Sequence, residues 1–396
     1  MILASLNRSN VGDNKLWELV EQTNQLTQGG YDDWDSNAQT LMPLMQRIIM
    51  FAREKEEWYI YFYVMSKLFW FSRRTEVNNI RLSFQIAEMF HQDYQSRLGE
   101  RLSDFGREYI VNLAGNILEF YGGFPQIDDL KLEQMLKIFR ECEAIYGSDW
   151  NCGDYTAVMY LALLNKDMKL AEEAADKLKK APFINWCYMC TYGRPMIGYY
   201  ILQNDLEMAV DWIYQLIDRE MPKKYQWFLK KCQQAEAEDL VDLALQYSLW
   251  LGNIPAFHKF FHVWREIYQK PEKEVEDTHD VLFHAVGGDW SHQEERVRLA
   301  QQDDRDMREQ RETPLDCFYW FLCWHCYFIL LDRKGVRSVS IELGEEGKRE
   351  WSCLDVAQYF ERQADIIGEQ MDKARKQFRY KEVKHCYKEC CLNSIP

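Results

Sequence analysis

The chain has 396 residues, with 48 basic and 63 acidic side chains and a formal net charge of −15. Only 19 glycines and 9 prolines occur, which excludes collagen-like and low-complexity chains and argues against a many-turned all-β fold. With 47% hydrophobic and 28% charged residues, the composition fits neither a disordered chain nor a multispanning membrane protein. The negative charge also disfavours nucleic acid as a partner.

Apolar residues recur at the helical spacing of three and four residues over most of the chain, first in the series Leu41, Leu44, Ile48 and Phe51. Short polar segments interrupt these series about every 40 to 50 residues, which is the period of two-helix repeats. They lie at 74–79, 122–128, 165–167, 203–205 and 252–255. The pattern predicts an all-α protein whose helices follow one another through short turns.

Two segments, 165–178 and 203–216, match each other at an offset of 38 residues. A looser third copy follows after a further 47 residues. The three copies align an alanine early in the second helix of each pair, namely Ala171, Ala209 and Ala256. A small residue at this point lets the backbones of paired helices approach closely.

This arrangement resembles the tetratricopeptide repeat over residues 155–271. The matching features are a tyrosine on the first helix, the alanine on the second, an aromatic residue four positions later and a proline after it. The residues are Tyr200, Tyr247, Phe260, Pro182, Pro222 and Pro271. Met159, Ile197 and Ala244 stand where the family has glycine. The resemblance implies a right-handed α-solenoid of two-helix repeats, which we expect to occupy residues 1–280.

The remaining segment, 281–396, is predicted to be a helical cap on the array. The apolar series 317–331 is shorter than a membrane helix requires, so we interpret it as a buried core helix. Alternation at Val339, Ile341 and Leu343 predicts one short strand or hairpin. Ser352 and Asp355 then have the spacing of a capping box at the start of the last long helix.

Two cysteine pairs, Cys187/Cys190 and Cys323/Cys326, have the spacing of zinc ligands, and His258 and His262 lie one helical turn apart. The cysteine pairs lie in aromatic runs without the glycines of a zinc knuckle. Lys259 stands where a zinc peptidase has its glutamate. We therefore interpret the cysteines as buried core residues and the histidines as a helix face, and we predict neither metal nor cofactor.

Aromatic residues make up 15% of the chain, and most must be core. One cluster falls where the first helix of the middle repeat would line a concave face, and tyrosine and tryptophan are favoured in binding surfaces. The candidate partner-binding residues are Trp186, Tyr188, Tyr192, Arg194, Tyr199 and Tyr200.

No Walker loop, GxGxxG or GxSxG motif occurs in the sequence. The sequence therefore predicts a non-enzymatic protein that binds a basic protein or peptide. An immunity or antitoxin-type protein is one version of this hypothesis. A peptide-sensing regulator and a helical hydrolase with His, Asp or Glu in the groove are the alternatives. Twelve cysteines without a secretory signal predict a cytoplasmic location away from membranes.

Overall fold

The computed structural model describes residues 2–4, 6, 8–9, 11–73, 79–97, 107–146, 152–180, 193–218, 226–267, 277–376 and 378–393. Within these ranges the protein is a succession of packed helices with one small two-stranded sheet near the C-terminus. The predicted all-α architecture with a late hairpin is confirmed at this level. Contacts divide the chain into two compact units, the first comprising 1–118, 131–154 and 310–312 and the second 119–130, 155–309 and 313–396. The expected boundary near residue 280 stays a prediction.

Seven helices begin in the N-terminal part of the chain: α1 (Asn14–Gln25), α2 (Tyr31–Ser36), α3 (Ala38–Glu54), α4 (Trp58–Ser72), α5 (Ile80–Arg97), α6 (Arg107–Gly122) and α7 (Asp129–Tyr146). In the first unit α3 packs against α1 and α4, and α4 packs against α5. Asp93 on α5 is buried there and pairs with Arg53 at 2.5 Å. The Tyr61 hydroxyl also donates to the Asp93 carboxylate.

Six further helices follow: α8 (Cys152–Leu164), α9 (Met168–Lys180), α10 (Arg194–Leu202), α11 (Leu206–Asp218), α12 (Gln226–Leu251) and α13 (Ile254–Ile267). They form the consecutive pairs α8–α9, α10–α11 and α12–α13. Within the second unit α10 also packs against α9 and α12, and α11 packs against α12 and α13. The second pair therefore contacts the third pair through both of its helices, and α9 of the first pair contacts α10 of the second.

The same type of turn joins the two helices of each pair. A residue in the left-handed region ends each first helix, with φ of 49° at Lys166, 59° at Asn204 and 71° at Gly252. The next residue donates its backbone N–H to a carbonyl five residues back, as Asp167 does to Ala162, Asp205 to Tyr200 and Asn253 to Ser248. This is the Schellman arrangement, and it satisfies the last carbonyls of a helix. The same residue then caps the second helix, because its side chain accepts from Leu170, Met208 or Ala256.

These turns correct the internal alignment. Asn253 takes the place of Asp205, so the second and third pairs are 48 residues apart rather than 47. Phe257, not Ala256, therefore occupies the position of Ala209. An alignment that matches alanine to alanine is therefore wrong by one residue in the third pair. The equivalent positions are fixed by the turn that precedes the second helix, not by the alanine.

The Nδ2 amide of Asn253 also joins neighbouring pairs. It donates to the Oδ1 of Asn204 at 3.2 Å and to the backbone carbonyl of Ile201 at 3.4 Å. Both acceptors belong to the end of α10 and the turn that follows it. Equivalent turns of the second and third pairs thus lie side by side.

Replacing Asp167 by alanine should lower the free energy of unfolding by about 1 kcal/mol, because the cap at the start of α9 is lost. Asp205→Ala should have a similar effect on α11. Urea denaturation measures both changes. Asp167→Ser is the control, since a serine hydroxyl can cap the helix and should retain most of the stability; equal losses in the alanine and serine variants would contradict the cap.

The C-terminal part contains α14 (Thr278–Val286), α15 (Gln293–Arg308), α16 (Pro314–Arg333), β1 (Ser338–Glu342), β2 (Lys348–Ser352), α17 (Cys353–Ala374) and α18 (Tyr380–Lys388), followed by a π-helical turn at Glu389–Asn393. The strands are antiparallel, with Val339 opposite Trp351. Ser352 caps α17 through the backbone N–H of Asp355, as predicted. The largest interface in this part joins α16 and α17.

Among the described residues, α16 is the one helix long and apolar enough to cross a membrane, with a mean hydropathy of 1.3. However, 72% of that apolar window is buried inside the protein. Core helices of soluble proteins show the same combination, so the hydropathy of α16 is weak evidence for a membrane span.

The side chain of Arg375 caps the C-terminal end of α6. Its Nη2 donates to the backbone carbonyls of Tyr121, Gly122 and Phe124 at 3.1, 3.4 and 3.1 Å. These carbonyls lie at the C-terminal end of α6, where unpaired acceptors and the helix dipole favour a cation. Burial lowers the pKa of Arg375 to about 10, so the guanidinium stays charged at neutral pH.

Candidate functional site

The structure describes three of the six residues in the predicted binding cluster. Trp186, Tyr188 and Tyr192 lie outside the described residues. Arg194 is exposed at the first turn of α10. Tyr199 and Tyr200 lie further along α10 and are only 7% and 9% exposed.

The two tyrosines pack between α9, α10 and α11. The ammonium of Lys179 on α9 lies 5.3 Å from the ring centre of Tyr199 and 6.0 Å from that of Tyr200. Tyr200 also contacts Trp212 of α11, with ring centres 6.4 Å apart. The amide of Gln203 donates to the Tyr199 hydroxyl at 2.7 Å. Most of each ring is therefore used in helix packing.

Carboxylates lie beside Tyr199. Burial raises the pKa of Tyr199, and the negative charges of Glu172 and Asp176 on α9 raise it further. Both acidic side chains are exposed and stand one helical turn apart. The exposed part of the site is thus the pair of carboxylates on α9, above a buried phenol, and two such carboxylates can hold a cationic side chain.

Gly198 brings α10 close to both neighbouring first helices. A Cβ at this position would lie 2.5 Å from Leu163 of α8 and 3.1 Å from the Tyr247 ring of α12. The first of these distances is shorter than real Cβ contacts, so a larger residue at this position would require the flexible end of the Leu163 side chain to move. The first helices of the three pairs consequently form a continuous row.

An aromatic pocket opens beside α8 and α12. Its aromatic walls are Tyr160, Tyr247, Trp250, Tyr319 and Phe378. Trp250 and Tyr319 stack with ring centres 4.6 Å apart. Burial raises the pKa of Tyr160, Tyr247 and Tyr319, so all three phenols are neutral hydrogen-bonding groups at neutral pH.

The chain's own C-terminal helices cover part of this face. Phe378 and Val383 belong to the pocket wall. The Nζ of Lys166, in the turn between α8 and α9, lies 3.3 Å from the carboxylate of Glu382 on α18. The Cys386 thiol of α18 lies 3.9 Å from the Ser248 carbonyl of α12. The C-terminal segment, which is predicted to cap the array, thus contacts α12 and the turn after α8.

Five cysteines distant in the sequence come together behind this face. Cys323 and Cys326 on α16 interact with Cys391 near the end of the chain, and Cys326 interacts with Cys390 as well. Cys390 in turn contacts Cys386. The sulfurs of Cys386 and Cys390 are 3.6 Å apart. Spacing along the sequence did not indicate this cluster, because its two halves belong to different helices. Cys187 and Cys190 lie outside the described residues.

The cluster has the properties of a buried core. All five thiols are inaccessible, and burial raises the pKa of Cys323 and Cys391. A protonated thiol is a poor nucleophile and a poor metal ligand. No group of three or more His, Cys, Asp or Glu side chains with metal-binding geometry occurs in the part of the chain that the structure describes.

Two adjacent carboxylates on α15 are also buried. The hydroxyl of Thr278 and the indole N–H of Trp324 donate to Asp303 at 2.5 and 2.7 Å. Burial nevertheless raises the pKa of Asp303 to about 7. Asp304 accepts hydrogen bonds from Arg308 and Tyr359 at 3.0 and 2.6 Å. Both residues connect α15 to neighbouring elements of the second unit.

Comparison of this chain with known protein families, curated proteins and solved structures found no match.

Proposed function

We propose that this protein is a non-enzymatic, cytoplasmic binding protein built on tetratricopeptide-like repeats, and that it holds a basic protein or peptide. The repeat part of the proposal is supported by the shared turns, by the row of first helices at Gly198 and by the Asn253 amide between neighbouring turns. Stacked two-helix repeats require such equivalent contacts between successive units.

The observation that carries the binding proposal is that Glu172 and Asp176 are exposed one turn apart on α9, the helix that packs against α10. Their charges also act on Tyr199 of α10. Because both carboxylates are exposed, a lysine or arginine of a partner can pair with them. Arg194, which is exposed, also belongs to the proposed surface. The proposal further includes Tyr200 and, outside the described residues, Trp186, Tyr188 and Tyr192.

The net charge of −15 supports a basic partner. An excess of negative charge attracts a cationic protein at long range and accelerates association, especially at low salt. An immunity or antitoxin-type protein that neutralises a basic toxin domain is the concrete form of this proposal.

The first experiment identifies the partner by chemical cross-linking in the native lysate and mass spectrometry of the cross-linked peptides. The purified partner is then bound to the purified chain, and association and dissociation rates are measured. We expect cross-links on α9 or α10 and a basic partner. A partner that is acidic, or cross-links confined to the first unit, would contradict the proposal.

The double variant Glu172→Gln/Asp176→Asn should slow association about threefold to tenfold at low salt and flatten its salt dependence, because two attractive charges are lost. The matched control is Glu18→Gln/Glu21→Gln, which removes two exposed charges from α1 of the first unit. If both double variants slow association equally, the net charge of the chain alone determines the association rate, and the proposed site is wrong.

A further inference from the structure

The outward face of α13 carries two histidines that the proposed binding surface does not use. His258 and His262 are both exposed. They lie four residues apart on a continuous helix, so their side chains stand on one face about one turn from each other. Two histidines at this spacing on a helix can chelate one metal ion.

A carboxylate lies next to the second histidine. The Nδ1 of His262 is 3.4 Å from the Oε1 of Glu266, one further turn along α13. The other oxygen of Glu266 accepts a hydrogen bond of 2.8 Å from the Tyr214 hydroxyl on α11. Metal-binding histidines commonly have a carboxylate at the nitrogen that does not bind the metal, which orients the ring. With Nδ1 facing Glu266, Nε2 is the nitrogen of His262 that can bind a metal.

The cationic side chains of α13 have other contacts. Lys259 pairs with Glu207 of α11, and the guanidinium of Arg265 lies 4.9 Å from the ring centre of Phe261. Their positive charges are thus partly offset or directed toward the helix packing. The electrostatic cost of placing a cation between the two histidines is reduced accordingly.

Although the sequence alone predicts no metal, we propose that His258 and His262 bind one divalent transition-metal cation at the surface of α13, with Glu266 as the positioning residue. Imidazole nitrogens suit Ni²⁺, Cu²⁺ and Zn²⁺ rather than the oxygen-seeking Mg²⁺ or Ca²⁺. The two histidines supply two ligands, and water completes the coordination. This site is independent of the proposed partner surface on α9 and α10.

Calorimetric titration of the full, untagged chain with Ni²⁺ tests the site, because Ni²⁺ discriminates against thiolates better than Zn²⁺ does. We expect one Ni²⁺ per chain and a higher melting temperature in its presence, since the metal joins two successive turns of a folded helix. His258→Gln and His262→Gln should each weaken binding at least about tenfold and abolish the thermal shift.

His385→Gln is the matched control. His385 is also exposed and has a glutamate, Glu389, four residues later, but no histidine lies one turn away from it. This variant should bind Ni²⁺ as the parent chain does. Equal affinity in His258→Gln and the parent chain, or an equal loss in all three histidine variants, would overturn the proposal.

Glu266→Gln separates positioning from stability. We expect Ni²⁺ affinity to fall about tenfold while the melting temperature of the metal-free chain stays unchanged, because Glu266 is an exposed side chain. Unchanged affinity would remove Glu266 from the site. A lower metal-free melting temperature without a change in affinity would assign it a purely structural role.

Discussion

Replacing Tyr247 by alanine should lower the free energy of unfolding by about 3–5 kcal/mol, the range found for removal of large buried aromatic side chains. Tyr247 is buried on α12, where it packs against Trp250 and against α10 at Gly198. Its loss leaves a cavity between two first helices. Urea denaturation followed by circular dichroism measures the change.

Two variants complete this experiment. Tyr247→Phe preserves the ring and should stay within about 1.5 kcal/mol of the parent chain. Arg194→Ala removes an exposed side chain and should change stability by no more than about 0.5 kcal/mol. A Tyr247→Ala variant as stable as Arg194→Ala would show that the ring does not hold α10 and α12 together.

Asp303→Asn should stabilise the protein at pH 8 and lose that advantage at pH 5. Burial raises the pKa of Asp303 to about 7 in the folded protein, against about 3.9 for an ordinary aspartate. Above pH 7 the folded chain must hold a buried charge. Between about pH 7 and pH 4 the carboxyl is neutral when folded and ionised when unfolded, so acidification adds stability to the parent chain.

The full effect of this pKa shift on the difference between parent and variant is at most roughly 4 kcal/mol, and the interval from pH 8 to pH 5 covers somewhat more than half of it. Urea denaturation of both proteins at pH 8 and pH 5 isolates it, because other titrating groups contribute equally to both. Asp304→Asn is the contrasting variant and should lose stability at both pH values, since Arg308 would lose its carboxylate. A parent–variant difference that does not change with pH would contradict the role of Asp303.

The helices and their turns could be predicted from the sequence because their signals are local. The polar segments at 165–167, 203–205 and 252–255 mark real turns, and Ser352 caps α17. The second strand gave a weaker signal. In β2 only Trp351 is buried, and charged residues occupy most other positions, so alternation does not reveal it.

The candidate binding site depends on contacts between distant parts of the chain. The periodicity of apolar residues in the sequence does not reveal such contacts. Aromatic spacing placed Tyr199 and Tyr200 on the correct helix but could not show that Lys179 and Trp212 cover their rings. Nor could it show that Glu172 and Asp176 lie beside Tyr199. The five-cysteine cluster likewise forms only when α16 meets the end of the chain.

Because of Arg375, the second unit cannot complete its packing until late in protein synthesis. Its acceptors at the end of α6 precede it by as many as 254 residues. A growing chain emerges from the ribosome in order, and its early domains usually fold first. Until Arg375 has left the exit tunnel, the carbonyls at the end of α6 can accept hydrogen bonds only from water or from other parts of the chain. A stalled or truncated product ending before Arg375 would therefore lack the guanidinium that covers this helix end in the complete second unit.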